Sequence, residues 1–247
     1  MRIFPLLKTE WQKQKRGFLL LFLLIIPSGT TLAMFLDMNI RYDYLMQVAE
    51  KGESSWDVLL NENHRILGWG TFLPLFIAAI FFFIFQVEHQ QNSWKHLLSL
   101  PVHKVSVYVS KWLAGLMYIA LLIVLNTAGL VLVGKVMEFP EAVDWGGYGM
   151  YVLNQFVLAL AVTALQQWLS SWLRNPFIPV ALAFAGLIIG SILSSQEQSL
   201  LKLVPYAYTS LAAGDAAEPS GMFMYSILCT VLFLLIGSWQ FRKKDIL

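Results

Sequence analysis

The sequence predicts an all-α integral membrane protein with six transmembrane helices, and three observations predict it. Of 247 residues, 57% are hydrophobic and only 13% are charged, about half the charged fraction of a soluble domain. Six uncharged runs are long enough to cross a bilayer, which takes about 20 helical residues at a rise of ~1.5 Å each. Lys and Arg concentrate in alternate connections between those runs, the asymmetry that fixes the orientation of a multi-span chain.

The chain opens with IFPLLKTEWQKQKR. Helical spacing puts Ile3, Phe4, Leu7 and Trp11 on one face and Lys8, Lys13, Lys15 and Arg16 on the other side, the pattern of a helix lying in the membrane interface. Such a helix is either a topogenic anchor or a contact with a partner. The spans follow at about 17–36, 66–87, 112–134, 149–173, 176–193 and 221–241. A basic segment precedes the first, and Thr31-Leu32-Ala33 resembles a cleavage site, yet five further spans favour an uncleaved helix. The fifth starts with Pro176 and Pro179, tolerated where the first N–H groups lack an intrahelical partner.

Residues 1–16, 88–111, Arg174 and the tail after Phe241 hold 12 Lys and Arg against 3 Asp and Glu, whereas 37–65, 135–148 and 194–220 hold 5 against 12. The first set, with both termini, is expected in the cytoplasm and the second outside. Trp69, Trp112, Trp145, Trp172 and Trp239 fall at or near predicted span ends, as aromatic belts do.

Candidate chemistry within the chain is sparse. The predicted spans contain no Asp, Glu, Lys, Arg or His, which disfavours an ion-driven carrier and an intramembrane hydrolase that would need carboxylates or metal ligands at depth. No catalytic site, cofactor or metal is expected. The net charge of +2 indicates no nucleic-acid partner. The lone Cys229 excludes an intrachain disulfide. Asn126, Asn154, Gln155, Gln166 and Gln167 lie within spans, where they either bond between helices or line a pathway. Gly129 to Lys135 fits G-x-x-x-x-G-K, but the next residue is Val136 and the glycines end a span, so no phosphate loop is expected. Gly186-x-x-x-Gly190 reads as close helix packing.

The most informative stretch is QVEHQQNSWKHLLSLPVHKVSVYVSKW at 86–112. After Glu88, Trp94, Leu97 and Leu98 stand at i, i+3 and i+4 beside Lys95 and His96, and Pro101 interrupts the helix. Val105, Tyr108, Val109 and Trp112 then repeat the apolar spacing, with Lys104 and Lys111 among polar neighbours. This is a helix, a break and a second helix, either an interfacial elbow or a docking element for a soluble partner. His89, His96 and His103 recur every seven residues, but Pro101 breaks their common face, and solvated histidines are the expectation.

Glu88, then NSWKHLLSLP at 92–101, then Lys111 at the head of the next span, resembles the cytoplasmic loop of ABC-2-type transporter permeases. Length, span number, basic N-terminus and cytoplasmic tail are similar over essentially the whole chain. Among the branches it is most similar to permeases of lantibiotic-immunity and bacitracin-resistance exporters. The resemblance implies that the loop helix is a coupling helix seated on a separate ATPase subunit, present in two copies, that binds ATP and Mg. It also implies a second permease, identical or a sister subunit, and a bacterial cytoplasmic membrane location. The family's coupling glutamate and lysine match Glu88 and Lys111, and Leu200–Ser220, with Pro205 and Tyr206, matches the outer helical region before the last span. No large extracellular domain is present, which sets aside peptide sensing. The implied activity is export of an amphipathic peptide antibiotic or another hydrophobic compound. Another substrate, such as sodium, a lipid-linked sugar or a drug, and a non-transporting membrane anchor are the alternatives.

Overall fold

The computed structural model describes residues 3–15, 17–50, 52–90, 103–194, 203–213 and 217–243; within these the side chains of Ile3, His89, Gln90, Ser194 and 217–220 lie outside the description. All regular structure among the described residues is helical. A short α1 (Ile3–Gln14) leads into α2 (Phe18–Val48); α3 (Ser55–Asn61) and one π-helical turn (Glu62–Ile66) lead into α4 (Trp69–Gln90). Then come α5 (Lys104–Val136), α6 (Trp145–Trp172), α7 (Phe177–Ser194), a 3₁₀ segment (Pro205–Leu211) and α8 (Ala217–Lys243). Five of these, α2, α4, α5, α6 and α8, are long and apolar enough to cross a membrane. α7 is apolar but shorter.

Each predicted run became a helix, but several helices overrun their predicted ends. α2 continues past Leu36 to Val48, 31 residues in all, or ~46 Å of helix against a hydrocarbon core of about 30 Å. Charges at Asp37 and Arg41 suggested a stop. They instead support the extension, because Arg41 forms a bidentate pair with Asp37 one turn earlier, at 2.7 and 2.8 Å, and reaches Glu62 at 2.7 Å. The overruns also bring Glu88 and Lys111 inside α4 and α5, which the predicted spans left charge-free.

α4 is the central helix. Gly68, at φ +80°, makes the turn into it, a conformation that favours glycine. From α4, Leu73, Ile77, Ile80, Phe81, Ile84 and Phe85 pack against Leu19 and Leu23 of α2, Tyr118, Ile119, Leu122 and Ile123 of α5, and Ala159 and Val162 of α6. At one end, Trp56 and Leu59 of α3 cap the bundle against Met34, Met38, Leu130, Val133 and Tyr148. Trp56 Nε1 donates to the Glu141 carbonyl at 2.9 Å, and Tyr148 Oη donates to the Trp56 carbonyl at 3.0 Å. α8 lies along α6, held by Ser226 Oγ on the Val157 carbonyl (2.7 Å) and by Trp168 Nε1 on Gln240 Oε1 (2.8 Å). Such bonds matter here because lipid tails are as apolar as leucine, so packing and polar contacts, rather than burial from water, hold membrane helices together.

The 3₁₀ segment is wedged between α4, α6 and α7. Thr209 Oγ1 donates to the Gly70 carbonyl at 2.7 Å. A Cβ at Gly186 would stand 2.2 Å from the Tyr206 ring, and one at Gly190 would stand 3.0 Å from Ala207 Cβ. The G-x-x-x-G pattern therefore marks close packing, against a 3₁₀ turn. Gly129 and Gly134 sit within the continuous helix α5, pressed against Thr31 and Trp56, in no phosphate-binding loop.

Polar contacts keep the two sets of connections apart. At one end, α1 bonds to the ends of α4 and α5, and Lys104 Nζ donates to the Arg242 carbonyl (3.4 Å). At the other, Arg41 meets Glu62, Trp56 meets Glu141, and Arg65 meets the Ala213 carbonyl. Trp145, Trp172 and Trp239 are exposed as belt residues would be, whereas Trp69 is buried, donating to Gln155 Oε1 at 2.6 Å, and Trp112 is half-buried on Thr163.

Candidate functional site

Where α1 meets the ends of α4 and α5, four charged side chains close a ring. Glu10 and Lys13 sit one turn apart on α1, Glu88 lies near the end of α4, and Lys111 lies two turns into α5. Lys111 Nζ donates to Glu10 Oε2 and to Glu88 Oε1, each at 2.8 Å. Lys13 Nζ donates to Glu10 Oε1 at 3.0 Å and to the same Glu88 Oε1 at 2.8 Å. Each lysine thus touches both glutamates, and the ring is formally neutral. The side chains of Glu88 and Lys111 are 0% and 1% exposed, Glu10 6% and Lys13 23%.

Phe85 supports the ring from below, with Lys111 Nζ 5.3 Å from its centroid, and Gln14 Nε2 donates to the Phe83 carbonyl at 3.4 Å. Burial pushes the Glu10 carboxyl up, but the ammoniums of Lys111 and Lys13 outweigh it and hold the group below its usual value. Burial likewise pushes Lys13 down, and Glu10 and Glu88 more than reverse this. Both shifts favour charged forms. Losing one partner of a buried ion pair typically costs about 3–5 kcal/mol, because the other charge is left uncompensated. In sequence, Glu88 and Lys111 stand on either side of residues 91–102.

Of the residues singled out in the sequence, Glu88 and Lys111 are brought together. Lys104 opens α5 at the same end. Trp94, Lys95, His96, Leu97, Leu98 and Pro101 lie outside the described residues, as do the side chains of Ile3 and His89. His103 is exposed just before α5. Phe4 is exposed, Leu7 packs against the core, and Trp11 stacks on Tyr118 at 5.5 Å. Lys13 departs from the solvent-facing side expected for it, because the inner face of α1 meets buried charges rather than lipid. Glu10 and Lys13 were missed as site residues. The readable signal was Glu10, the one acid in a basic segment, on the row Leu7, Glu10, Gln14.

The span polar residues are occupied within the bundle. Asn126 accepts from Asn63 Nδ2 (3.2 Å) and donates to Thr30 Oγ1 (2.9 Å). Asn154 donates to the Ala212 carbonyl, Gln155 accepts from Trp69, and Gln166 donates to Tyr206 Oη and the Pro179 carbonyl. Gln167 donates to the Tyr108 carbonyl. Beside them, buried His64 of the π-helical turn bonds through Nδ1 to Tyr151 Oη (2.9 Å) and through Nε2 to the Ser210 carbonyl (3.1 Å). No pattern in the sequence pointed to His64.

These features define a multi-pass helical membrane protein with a polar joint at one end and a neutral polar network toward the other. The sequence model of the ABC-2 family transporter proteins matches residues 6–190, about three quarters of the chain and all four members of the ring. The chain belongs to that family, an ABC-2 family transporter protein. Such permeases usually work with an ATPase partner. No curated protein matches the chain.

Proposed function

We propose that this chain is the permease subunit of an ATP-driven exporter that moves an amphipathic peptide antibiotic, lantibiotic-like or bacitracin-like, or another hydrophobic compound out of the membrane. The observation that carries the reading is the closed ring of Glu10, Lys13, Glu88 and Lys111, which ties both flanks of residues 91–102 to α1. α7, at 18 residues or ~27 Å, completes a sixth crossing, α1 lies in the cytoplasmic interface, and both termini are cytoplasmic in a bacterial cell membrane. Residues 88–111 are the coupling region. Trp94, Leu97 and Leu98 dock on the ATPase, Lys95 and Lys104 flank the contact, Pro101 sets the break, and Glu88 and Lys111 pass the motion to the spans.

On this reading the chain has no catalytic site or cofactor of its own. ATP and Mg belong to two ATPase subunits, and a second permease, identical or a sister, completes the pathway. The test replaces Glu88 with Gln in cells lacking the native gene and challenges them with a lantibiotic, bacitracin and an unrelated detergent. Expected, at matched membrane levels, are loss of resistance to a peptide antibiotic only and continued co-purification of ATPase. Deletion of the gene without any change in peptide resistance would exclude the substrate class. Full ATPase recovery and full resistance with Trp94→Ala/Leu97→Ala would exclude docking.

A further inference from the structure

A cleft of about 410 Å³ opens between the ends of α6 and α8, on the same end of the bundle as the charged ring, lined by Ser171, Trp172, Arg174, Trp239, Gln240 and Lys243 among others. Its volume falls within the range of ~300–1,000 Å³ typical of ligand sites. We propose that it binds the phosphate of an anionic phospholipid headgroup, with Arg174 and Lys243 as the two cationic ligands.

The charge in the cleft is one-sided. Among the described residues, two cations from separate elements line it and no Asp or Glu does. Arg174 is exposed and makes no hydrogen bond or ion pair among the described residues. Lys243 Nζ rests 3.9 Å from the centre of the Trp239 ring. That cation–π contact positions the ammonium but consumes no N–H donor. Gln240 accepts from Trp168 Nε1 through Oε1, which orients its amide and leaves the NH₂ as a donor.

The walls indicate a lipid rather than a free anion. Trp172 and Trp239 are 57% and 56% exposed at the ends of membrane-length helices, the depth at which tryptophan meets headgroups. Basic pockets between helix ends at that depth are recognised headgroup sites, and a water-borne phosphate would gain nothing from two indoles. The cleft also adjoins the start of α5, through Lys104 on the Arg242 carbonyl and Tyr108 against Phe241 at 5.5 Å. Its occupancy therefore bears on the helix that emerges from residues 91–102. The site does not depend on the exporter reading, since its test needs no transport.

The full chain is purified in mild detergent and its retained lipids are read by native mass spectrometry, with phosphatidylglycerol and phosphatidylcholine added at equal concentration. The wild type should prefer phosphatidylglycerol roughly thirtyfold, the scale set by two juxtamembrane cations. Arg174→Gln/Lys243→Gln should bring the two lipids to parity. Lys8→Gln/Lys15→Gln, with the same change in net charge on exposed α1 residues, should leave the preference intact. The proposal is overturned if the wild type shows no preference, if the Arg174/Lys243 variant keeps it, or if the α1 variant loses it equally. Displacement of the lipid by inorganic phosphate at the same concentration would exclude the lipid as the source.

Discussion

The two ends of the bundle solve the same problem with different chemistry. At the α1 end, three helices are joined by full charges, Glu10, Lys13, Glu88 and Lys111. At the other, the buried links among α2, α5, α6, the π-helical turn and the 3₁₀ segment are neutral, from Thr30 through Asn126 to Asn63, and from Tyr151 through His64 to Ser210, and among the described residues ion pairing is confined to the part-exposed pairs of Arg41. Neutral bonds between membrane helices average about 0.6 kcal/mol and seldom exceed ~1.7 kcal/mol, and they are short-ranged and directional. Charged contacts act over longer distances and survive changes of angle. The first kind suits a fixed wall, the second a joint that moves.

The largest expected effect comes from breaking the joint. Lys111→Met leaves Glu10 and Glu88 facing each other in a buried site, and should cost about 3–5 kcal/mol, seen as loss of folded protein by size-exclusion profile after heating. Adding Glu88→Leu and Glu10→Gln to it should restore much of that stability without restoring transport, since replacing buried ions by apolar groups is often neutral. Recovery of both would mean that the charges serve folding alone.

Next in size is a pH effect that separates the two ends. Burial, with Arg65 nearby, lowers His64 to about 4 from 6.5, despite its backbone acceptors. Its neutral form is therefore native, and between pH 6.5 and 4 the unfolded chain takes up a proton that the folded one does not. Stability should fall over that window by about 3 kcal/mol at ~1.36 kcal/mol per unit. His64→Gln should flatten the curve. The ring responds elsewhere: Glu10, held low, stabilises above its unfolded value of 4.5 and loses that contribution as pH falls through its folded value. Lys13, held high, stabilises below 10.5 and loses its contribution as pH rises through its folded value. A melting temperature independent of pH between 7 and 4.5 would contradict the His64 assignment.

Smaller effects calibrate the comparison. Asn126→Leu removes the link between Asn63 and Thr30 and should cost about 1–2 kcal/mol, an unpaired buried amide being the main loss. Arg41→Gln opens the pairs with Asp37 and Glu62, but Arg41 is 39% exposed, so the cost should stay below about 1 kcal/mol. Both are read as shifts in thermal midpoint in one detergent. An Arg41 effect as large as that of Lys111 would erase the distinction between a buried joint and a surface pair.

Much of the fold was legible because membrane helices announce themselves by composition. Glu88 and Lys111 stood out as charges flanking a loop, and the family resemblance singled them out, but nothing in the sequence marked their pairing with each other and with α1. Helix ends were less legible. A charge reads as a stop in sequence, and only the pairing of Asp37 with Arg41 and Glu62 makes it a continuation. The inward turn of Glu10 and Lys13 was hidden because a helix face is chosen by what it packs against, and their partners lie about 75 to 100 residues away. Trp69 misled for the same reason: an indole at a span end belongs to the headgroup belt unless a buried acceptor such as Gln155 claims its N–H.

Because each lysine reaches both glutamates, the four links form a closed loop in the sense of a graph, with the helices hung on its corners. Cutting any one link of such a loop leaves all four corners still connected through the other three. Release of any single contact therefore leaves every member of the ring with a partner, whereas release of both contacts of Glu88 or of Lys111 strands a buried ion. A chain of separate pairs would have to pass through a naked charge. The shape of the network, more than its strength, is what keeps each buried ion partnered when one contact opens.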